Sequence, residues 1–392
     1  MTHSPPAPLP PVRLKTERHS LHPWIFQKMV ERPDPRPRPG SVVDVLDRAG
    51  DFVGRGFYNG HSRIALRMLT RDPAEAVDED FFARRIAAAI GLRREVLGLD
   101  AVTDAYRLVH SEGDGLSGLI VDRFADTLVM EYFAAGMFRQ RELIRRCLLE
   151  HFPGANVYAF AEAHVQKQES FDFSPPPAPP PIVIHEHGVA FHAAPGSKHK
   201  TGFFADQRDN RKALAKLCAG KRVLDLCCNS GGFAIHAATV GAAAEVTGVD
   251  LDEDILAVAA QNARLNRVRV RFVQADIFHW LRDTPHGDGY DVVVLDPAKM
   301  TRDREQVIPA LKKYLDMNKL AMGAVKPGGV LLSCSCTGLV SEEQFLDMLR
   351  RAAFYAGRTV QVLKVAGAGA DHPWLAHVPE SRYLKAVFCR VL

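Results

Sequence analysis

The sequence predicts a Rossmann-like, doubly wound α/β domain in its C-terminal half, preceded by a small β-rich domain and an α+β domain. Three observations carry this. From Lys221 onward five short apolar runs, KRVLDLCC, AEVTGVD, VRVRFVQAD, YDVVVLD and GGVLLSCSC, alternate with helical segments, the pattern of a mostly parallel sheet buried on both faces. The run SPPPAPPP from Ser174 to Pro181 can be neither helix nor central strand and reads as an extended connector. Near the start, SVVDVL, FVGRGFYN and RIALRML are short strand-like runs set off by turn residues. With 392 residues the chain exceeds one ordinary core. The expected domains are 1–76, 77–185 and 186–392.

In the first domain Ile64, Leu66 and Met68 alternate with Arg63, Ala65 and Arg67. Residues 1–71 carry an excess of Lys/Arg over Asp/Glu, so Arg13, Lys15, Arg18, Arg63 and Arg67 are the candidate contacts to a polyanion such as RNA. A half-buried sheet with a wet outer face has the same pattern. The second domain mixes the helical FFARRIAAAIGLRREVLG and MFRQRELIRRCLLEHF with the strands YRLVH, GLIVDRF and TLVMEYF. After the connector, IVIHEHGVAFHAA reads as a hairpin and ADQRDNRKALAKLCAG as an amphipathic helix. Between Lys198 and Arg222 eight Lys/Arg stand against Asp206 and Asp209, which adds Lys198 and Lys200 to the basic candidates; a solvated helix face is the alternative.

Composition narrows the class. The chain is 47% hydrophobic and 24% charged, with net charge +4, and no apolar run approaches the ~20 residues that span a bilayer. The opening MTHSPPAPLPPVRLKTERHS has no signal-peptide pattern. Seven cysteines, an odd number with no CxxC, suit a reducing compartment and argue against zinc. The expectation is a cytoplasmic protein without membrane contact or metal, with a homodimer left open.

In a doubly wound sheet the ligand sits at the carboxyl ends of the strands. The first strand ends in Asp225 and the loop CCNSGGF, where Asn229, Ser230, Gly231 and Gly232 precede a helix. The GxGxxG spacing of a dinucleotide site is absent, which disfavours a nicotinamide dehydrogenase and suits S-adenosylmethionine, a nucleoside with no phosphate. The second strand ends at Asp250 and Leu251, where an acid can accept from ribose hydroxyls. The third ends at Asp276 and Ile277, placed to read and flank an adenine. Each acid alone is as readily a helix cap or loop residue; together, behind the glycine loop, they favour the cofactor.

The fourth strand ends in VLDPAKM, with Asp296 and Lys299. Methyltransferases acting on exocyclic amines usually show Asn-Pro-Pro-aromatic there, so a different target atom is expected. The fifth ends in LLSCSCTG. A thiolate at that end can add to carbon 6 of a pyrimidine and make carbon 5 nucleophilic. Cys336 is nearer the carboxyl end than Cys334 and is the candidate; small buried packing residues are the alternative for both. A free thiol has a pKa of ~8.5, so Lys299 or an arginine of DQRDNR is expected to help ionise it. Cys227 and Cys228 read as packing residues.

With these residues in view, the chain resembles the family of large-subunit ribosomal RNA methyltransferase I, a cytosine-C5 methyltransferase, over nearly its whole length. RHSLHPWIF is similar to the opening of that family's PUA domain, SEGDGLSGLIVDRF to its central domain, KTGFFADQRDNR to the entry of its catalytic domain. LLSCSCTGL and DHPWLAHVPESRYLKAVFCRV resemble its nucleophile strand and C-terminal hairpin. The resemblance implies a seven-stranded class I methyltransferase domain behind a PUA-like one. It also implies cofactor contacts at Gln207, Arg208, Gly231, Asp250, Asp276 and Asp296, with Cys336 as nucleophile. Two stretches depart from the pattern: CCNSGGF stands where the family often has aromatic-Thr-Gly-Gly, and DPAKM where it has DPPKF. Ala298 loosens a rigid turn, which bears on the choice of substrate.

The expected function is methyl transfer from S-adenosylmethionine to carbon 5 of a cytosine in RNA, large-subunit ribosomal RNA foremost. Cys336 adds to carbon 6 and Asp296 holds the ring edge. The N-terminal basic domains hold RNA while the base is flipped from its stack. Two alternatives stand beside it: the same cofactor with another target such as guanine N7, which needs no nucleophilic cysteine, and an RNA-binding ribosome assembly factor without turnover.

Overall fold

A computed structural model of the chain describes residues 9–17, 20–197, 201–284, 287–301 and 303–392; Arg18, Lys198 and Lys200 lie outside them. The chain divides into two compact units, one of Met1–Ile182, Ala194–Phe203 and Asp371–Pro379, the other of Val183–Ala193, Phe204–Ala370 and Glu380–Leu392.

The first unit opens with strands β1 (Pro11–Arg13), β2 (Trp24–Phe26), β3 (Ser41–Leu46), β4 (Phe52–Tyr58) and β5 (Ile64–Thr70). They form a sheet ordered β1-β3-β4-β5-β2 in which only β1 and β3 run parallel. On β3 the alternation expected of a one-sided sheet holds: Val43 and Val45 are buried, while Asp44 between them pairs with Arg55 at 2.7 Å. Along β5 it fails, because six of its seven residues are buried. Arg67 lies 3.7 Å from Glu112 and 3.6 Å from Glu169 and donates to the Phe133 carbonyl. Glu169 also accepts from Asn59, Ser62 and the Ala135 amide. The reading of Arg67 as an RNA contact is therefore corrected: a guanidinium enclosed with two carboxylates is a structural group. Arg13, Lys15 and Arg63 are exposed.

The rest of this unit holds α1 (Glu79–Gly91), β6 (Ala105–His110), β7 (Leu119–Phe124), β8 (Thr127–Tyr132), α2 (Ala135–Arg139), α3 (Arg141–His151), β9 (Asn156–Phe160) and α4 (Ala163–Glu169), with a sheet ordered β6-β7-β8-β9. Asp78 caps α1 by accepting from the Phe81 amide, and Phe81, Phe82, Ile86 and Ile90 carry its buried stripe. Residues 174–181 form neither helix nor strand.

Polar groups enter this core in pairs, such as Arg107 with Asp122 at 2.6 Å. Glu131 on β8 has no such partner at hydrogen-bond distance among the described residues. Burial pushes its carboxyl up to about 8, against the pull of Arg107 and with Glu162 and Asp122 adding to it. The folded chain thus keeps a proton that the unfolded chain releases near pH 4.5. Stability from this group is full below that value and is lost as pH rises towards 8, by ~1.4 kcal/mol per pH unit. Glu131→Gln is expected to flatten the decline. Urea midpoints of both proteins between pH 5 and 8 check this, and parallel slopes would contradict it.

The second unit begins with the hairpin β10 (Ile182–Glu186) and β11 (Val189–Ala193), whose first residue falls just outside the unit boundary. It continues with α5 (Arg208–Ala215), β12 (Arg222–Leu226), α6 (Gly232–Ala238), β13 (Glu245–Asp250), α7 (Glu253–Leu265), β14 (Arg271–Gln274), α8 (Ile277–Asp283) and β15 (Tyr290–Leu295). Then follow α9 (Val307–Ala324), β16 (Val325–Ser335), α10 (Glu342–Tyr355), β17 (Val360–Ala366) and β18 (Lys385–Val391). The sheet order is β14-β13-β12-β15-β16-β18-β17, parallel except for β18, which runs antiparallel to both neighbours.

Period-two geometry explains the continuous apolar runs. Leu224, Leu226, Val293 and Leu295 pack towards α8, α9 and α10, whereas Val223, Val292 and Val294 pack towards α5 and α6. Among the described residues no helix is long and apolar enough to cross a membrane.

Candidate active site

Chain order reverses between β12 and its neighbours β13 and β15, so the switch-point crevice opens at the carboxyl ends of these strands. Asp225 lies one residue before the end of β12, Asp250 ends β13, and Asp276, Asp296 and Cys336 follow β14, β15 and β16. All five belong to the same sheet edge.

The loop after β12 turns through left-handed backbone at Cys227 (φ 59°), Asn229 (φ 49°) and Gly231 (φ 83°). It is the left-handed φ that favours glycine at 231, since the nearest atom a Cβ there would meet is only the tip of the Ile235 side chain, at 2.9 Å. Asp250 anchors this loop by accepting from the Asn229 amide at 2.8 Å, and its other oxygen accepts from Asp252 N–H. Asn262 donates to the Ser230 carbonyl. Leu251 beside Asp250 is 66% exposed, unusual for an apolar side chain at a strand end. Asp276 caps α8, accepting from Phe278 and His279 amides, and Ile277 is buried in the core. Each of these acids thus has a scaffold role in addition to the binding role expected of it.

Asp225 differs. One oxygen accepts from the Ala234 amide at 2.9 Å, and the other is buried without a hydrogen-bond partner among the described residues. Burial pushes its carboxyl well above the usual range, and Asp296 and Asp250 raise it further. A crevice with three neighbouring carboxyls and one orphaned oxygen fits a ligand with an ammonium or sulfonium centre. Asp225→Asn is expected to weaken S-adenosylmethionine binding by ten- to a hundredfold, ~1.4–3 kcal/mol. Calorimetric titration checks it, and an unchanged Kd would remove Asp225 from the site.

Gln207 is buried and donates to Asp296 at 2.9 Å, while its own carbonyl accepts from Asn210. Arg208 is also buried, and its charge acts on Glu186. Arg211 donates twice to Glu186, at 2.7 and 2.6 Å. Arg211 is therefore committed to a buried carboxylate and does not serve the thiol.

Cys336 is half-buried just past β16, whereas Cys334 is fully buried and burial pushes its thiol well above the ordinary value. The turn after Cys336 is tightly held. Ser335 donates to the Tyr314 hydroxyl, which bonds Thr337 Oγ1 at 2.8 Å, and Thr337 Oγ1 accepts from the Met300 amide. Lys385 Nζ donates to the carbonyls of Thr337, Val340 and Tyr383 at 2.7, 2.7 and 2.9 Å. Burial pushes Lys385 down to about 8, and Cys336 opposes that fall by favouring the charged form. Sequence reasoning missed this lysine. Its signal is a cation opening the apolar run KAVFC at the start of the strand. Lys299 is exposed on the loop after β15, within electrostatic reach of Lys385.

The chain matches the family described as PUA-like domain over residues 17–71 and that described as methyltransferase domain over 217–378. It is 39% identical to ribosomal RNA large subunit methyltransferase I of Aeromonas hydrophila, over 94% of this chain and 95% of that protein. The protein of the same name from Klebsiella pneumoniae strain 342 is 38% identical over 95% and 94%, and that of Escherichia coli strain HS 36% over 95% and 96%. Among solved structures, a methyltransferase complexed with SAH aligns with a TM-score of 0.79 at 20% identity over 94% and 95% of the two chains. A SAM-dependent methyltransferase from Streptococcus mutans gives 0.77 at 19% over the same shares.

Proposed function

The chain belongs to the ribosomal RNA large subunit methyltransferase I family, and from that premise we propose that it methylates carbon 5 of a cytosine in large-subunit ribosomal RNA, with Cys336 as nucleophile. The observation that carries the proposal is the position of Cys336, half-buried at the carboxyl end of β16 on the same sheet edge as Asp225 and Asp296, with a lysine charge acting on it.

S-adenosylmethionine supplies the electrophilic methyl group. In the proposed arrangement Asp225 and Asp296 serve its cationic end, Asp250 and Leu251 its ribose, and Asp276 and Ile277 its adenine. Gln207 fixes Asp296, and residues Asn229 to Gly232 form the floor.

Cys336 Sγ forms a bond to carbon 6 of the cytosine and drives the ring electrons to carbon 5, which takes the methyl group. Asp296 orients the ring edge. Loss of the carbon 5 proton to a base, with breakage of the sulfur–carbon bond, restores the aromatic ring and frees the thiolate. Arg13, Lys15 and Arg63 on the PUA-like sheet and Lys299 beside the crevice are the exposed cations proposed to meet RNA phosphates.

Incubation with radiolabelled S-adenosylmethionine and ribosomal RNA, followed by nucleoside analysis, tests the proposal. Label in 5-methylcytidine is expected. Label in another nucleoside would move the target atom, and no label on any RNA would favour the assembly-factor alternative.

A further inference from the structure

We propose that Lys385 is the positioning residue for Cys336: its ammonium pins the turn that follows the thiol and places a positive charge beside it. This inference rests on the reading of Cys336 as the nucleophile. Lys385 opens β18 directly opposite Ser335 in the antiparallel ladder, so the last residue of β16 and the lysine face each other. From there its three donors reach three carbonyls, two of them in the turn Thr337–Val340. A lysine ammonium has three donors and no acceptor, and all three are used on neutral oxygens. The residue is 2% exposed and has no carboxylate ion-paired to it among the described residues, so its charge is not cancelled locally.

The other groups around the thiol leave that charge in place. Arg382, on the segment before β18, is ion-paired with Glu342 of α10 at 2.6 Å, so these two largely cancel. Lys299, after β15, disfavours the Lys385 charge only as the last of the influences on it, and Asp296 on the same loop disfavours the anion of the neighbouring Cys334. Tyr314 of α9 presents a hydroxyl whose ionisation is pushed up to about 12 by burial, so it stays neutral. Lysine therefore serves two ends at this position: it fixes the turn by donating, and it favours the anion that the proposed addition to carbon 6 requires.

The test is the pH dependence of Cys336 alkylation by iodoacetamide in the full chain, followed by peptide mass spectrometry. Burial pushes the thiols of the other six cysteines upward, which favours selective labelling of Cys336. In the wild type the inflection is expected below the ~8.5 of a free thiol. Lys385→Met is expected to raise it by about one unit and to slow alkylation at pH 7 about tenfold, with Lys385→Arg recovering part of the loss. An inflection unmoved in a folded Lys385→Met protein overturns the inference. Should that variant not fold, a wild-type inflection at or above ~8.5 does the same. The readout needs neither RNA nor cofactor, so it stands even if the methylated nucleoside proves to be one that requires no thiol.

Discussion

Cys336→Ala is expected to lower methyl transfer to RNA at least about a thousandfold, with S-adenosylmethionine binding changed less than about twofold. The size follows from the chemistry. Carbon 5 of cytosine is a poor nucleophile, and only covalent addition at carbon 6 lets it accept a methyl group, so removing the sulfur removes a bond-forming step. Cys334 cannot substitute, because it is fully buried and its thiol is held neutral by burial. The cofactor should still bind, since the groups proposed to hold it stand on or just after β12, β13, β14 and β15, not on β16. Single-turnover transfer with calorimetry on the same preparation checks both halves. Retention of more than a tenth of the rate would exclude the covalent route and favour a target such as guanine N7.

The second large effect is on stability. Arg211→Met is expected to cost about 3–5 kcal/mol, because it leaves the Glu186 carboxylate uncompensated in the core. Glu186 is fully buried and takes both guanidinium bonds of Arg211. His236 lies 3.3 Å away, but burial pushes it down to about 4, so it is neutral at pH 7. Burial by itself would raise the Glu186 carboxyl, yet Arg211, by charge and hydrogen bonds, holds it below 4.5 with help from His236 and Arg208. The stabilisation is therefore present above about pH 4.5 and fades as pH falls through the lower folded value. The defect of Arg211→Met should shrink in acid. Adding Glu186→Leu should recover most of it, since an apolar pair of similar volume avoids the desolvation cost. Urea unfolding at pH 7 and 4 checks all three statements; a loss under 1 kcal/mol at pH 7 would mean that water reaches Glu186.

What the sequence by itself determined is the scaffold and the sheet edge on which the candidate site residues stand. Apolar runs such as YDVVVL and RVLDL can only be strands buried on both faces, and in a parallel sheet their carboxyl ends share an edge. The placement of Asp225, Asp250, Asp296 and Cys336 followed from that local rule. The Pro-rich segment and the cap at Asp276 were legible for the same reason: they depend on near neighbours.

Only the tertiary structure decided what the buried charges do. Alternation along β5 places Arg67 in a row on a wet face, yet it meets Glu112 and Glu169, 45 and 102 residues away. Arg211 is matched to Glu186 on a preceding hairpin, and Lys385 reaches a turn some 45 to 48 residues earlier. A pattern of period two or 3.6 records which face a residue occupies, but not what covers that face. A charge removed from water is defined by the partner that compensates it, and that partner is chosen by long-range packing.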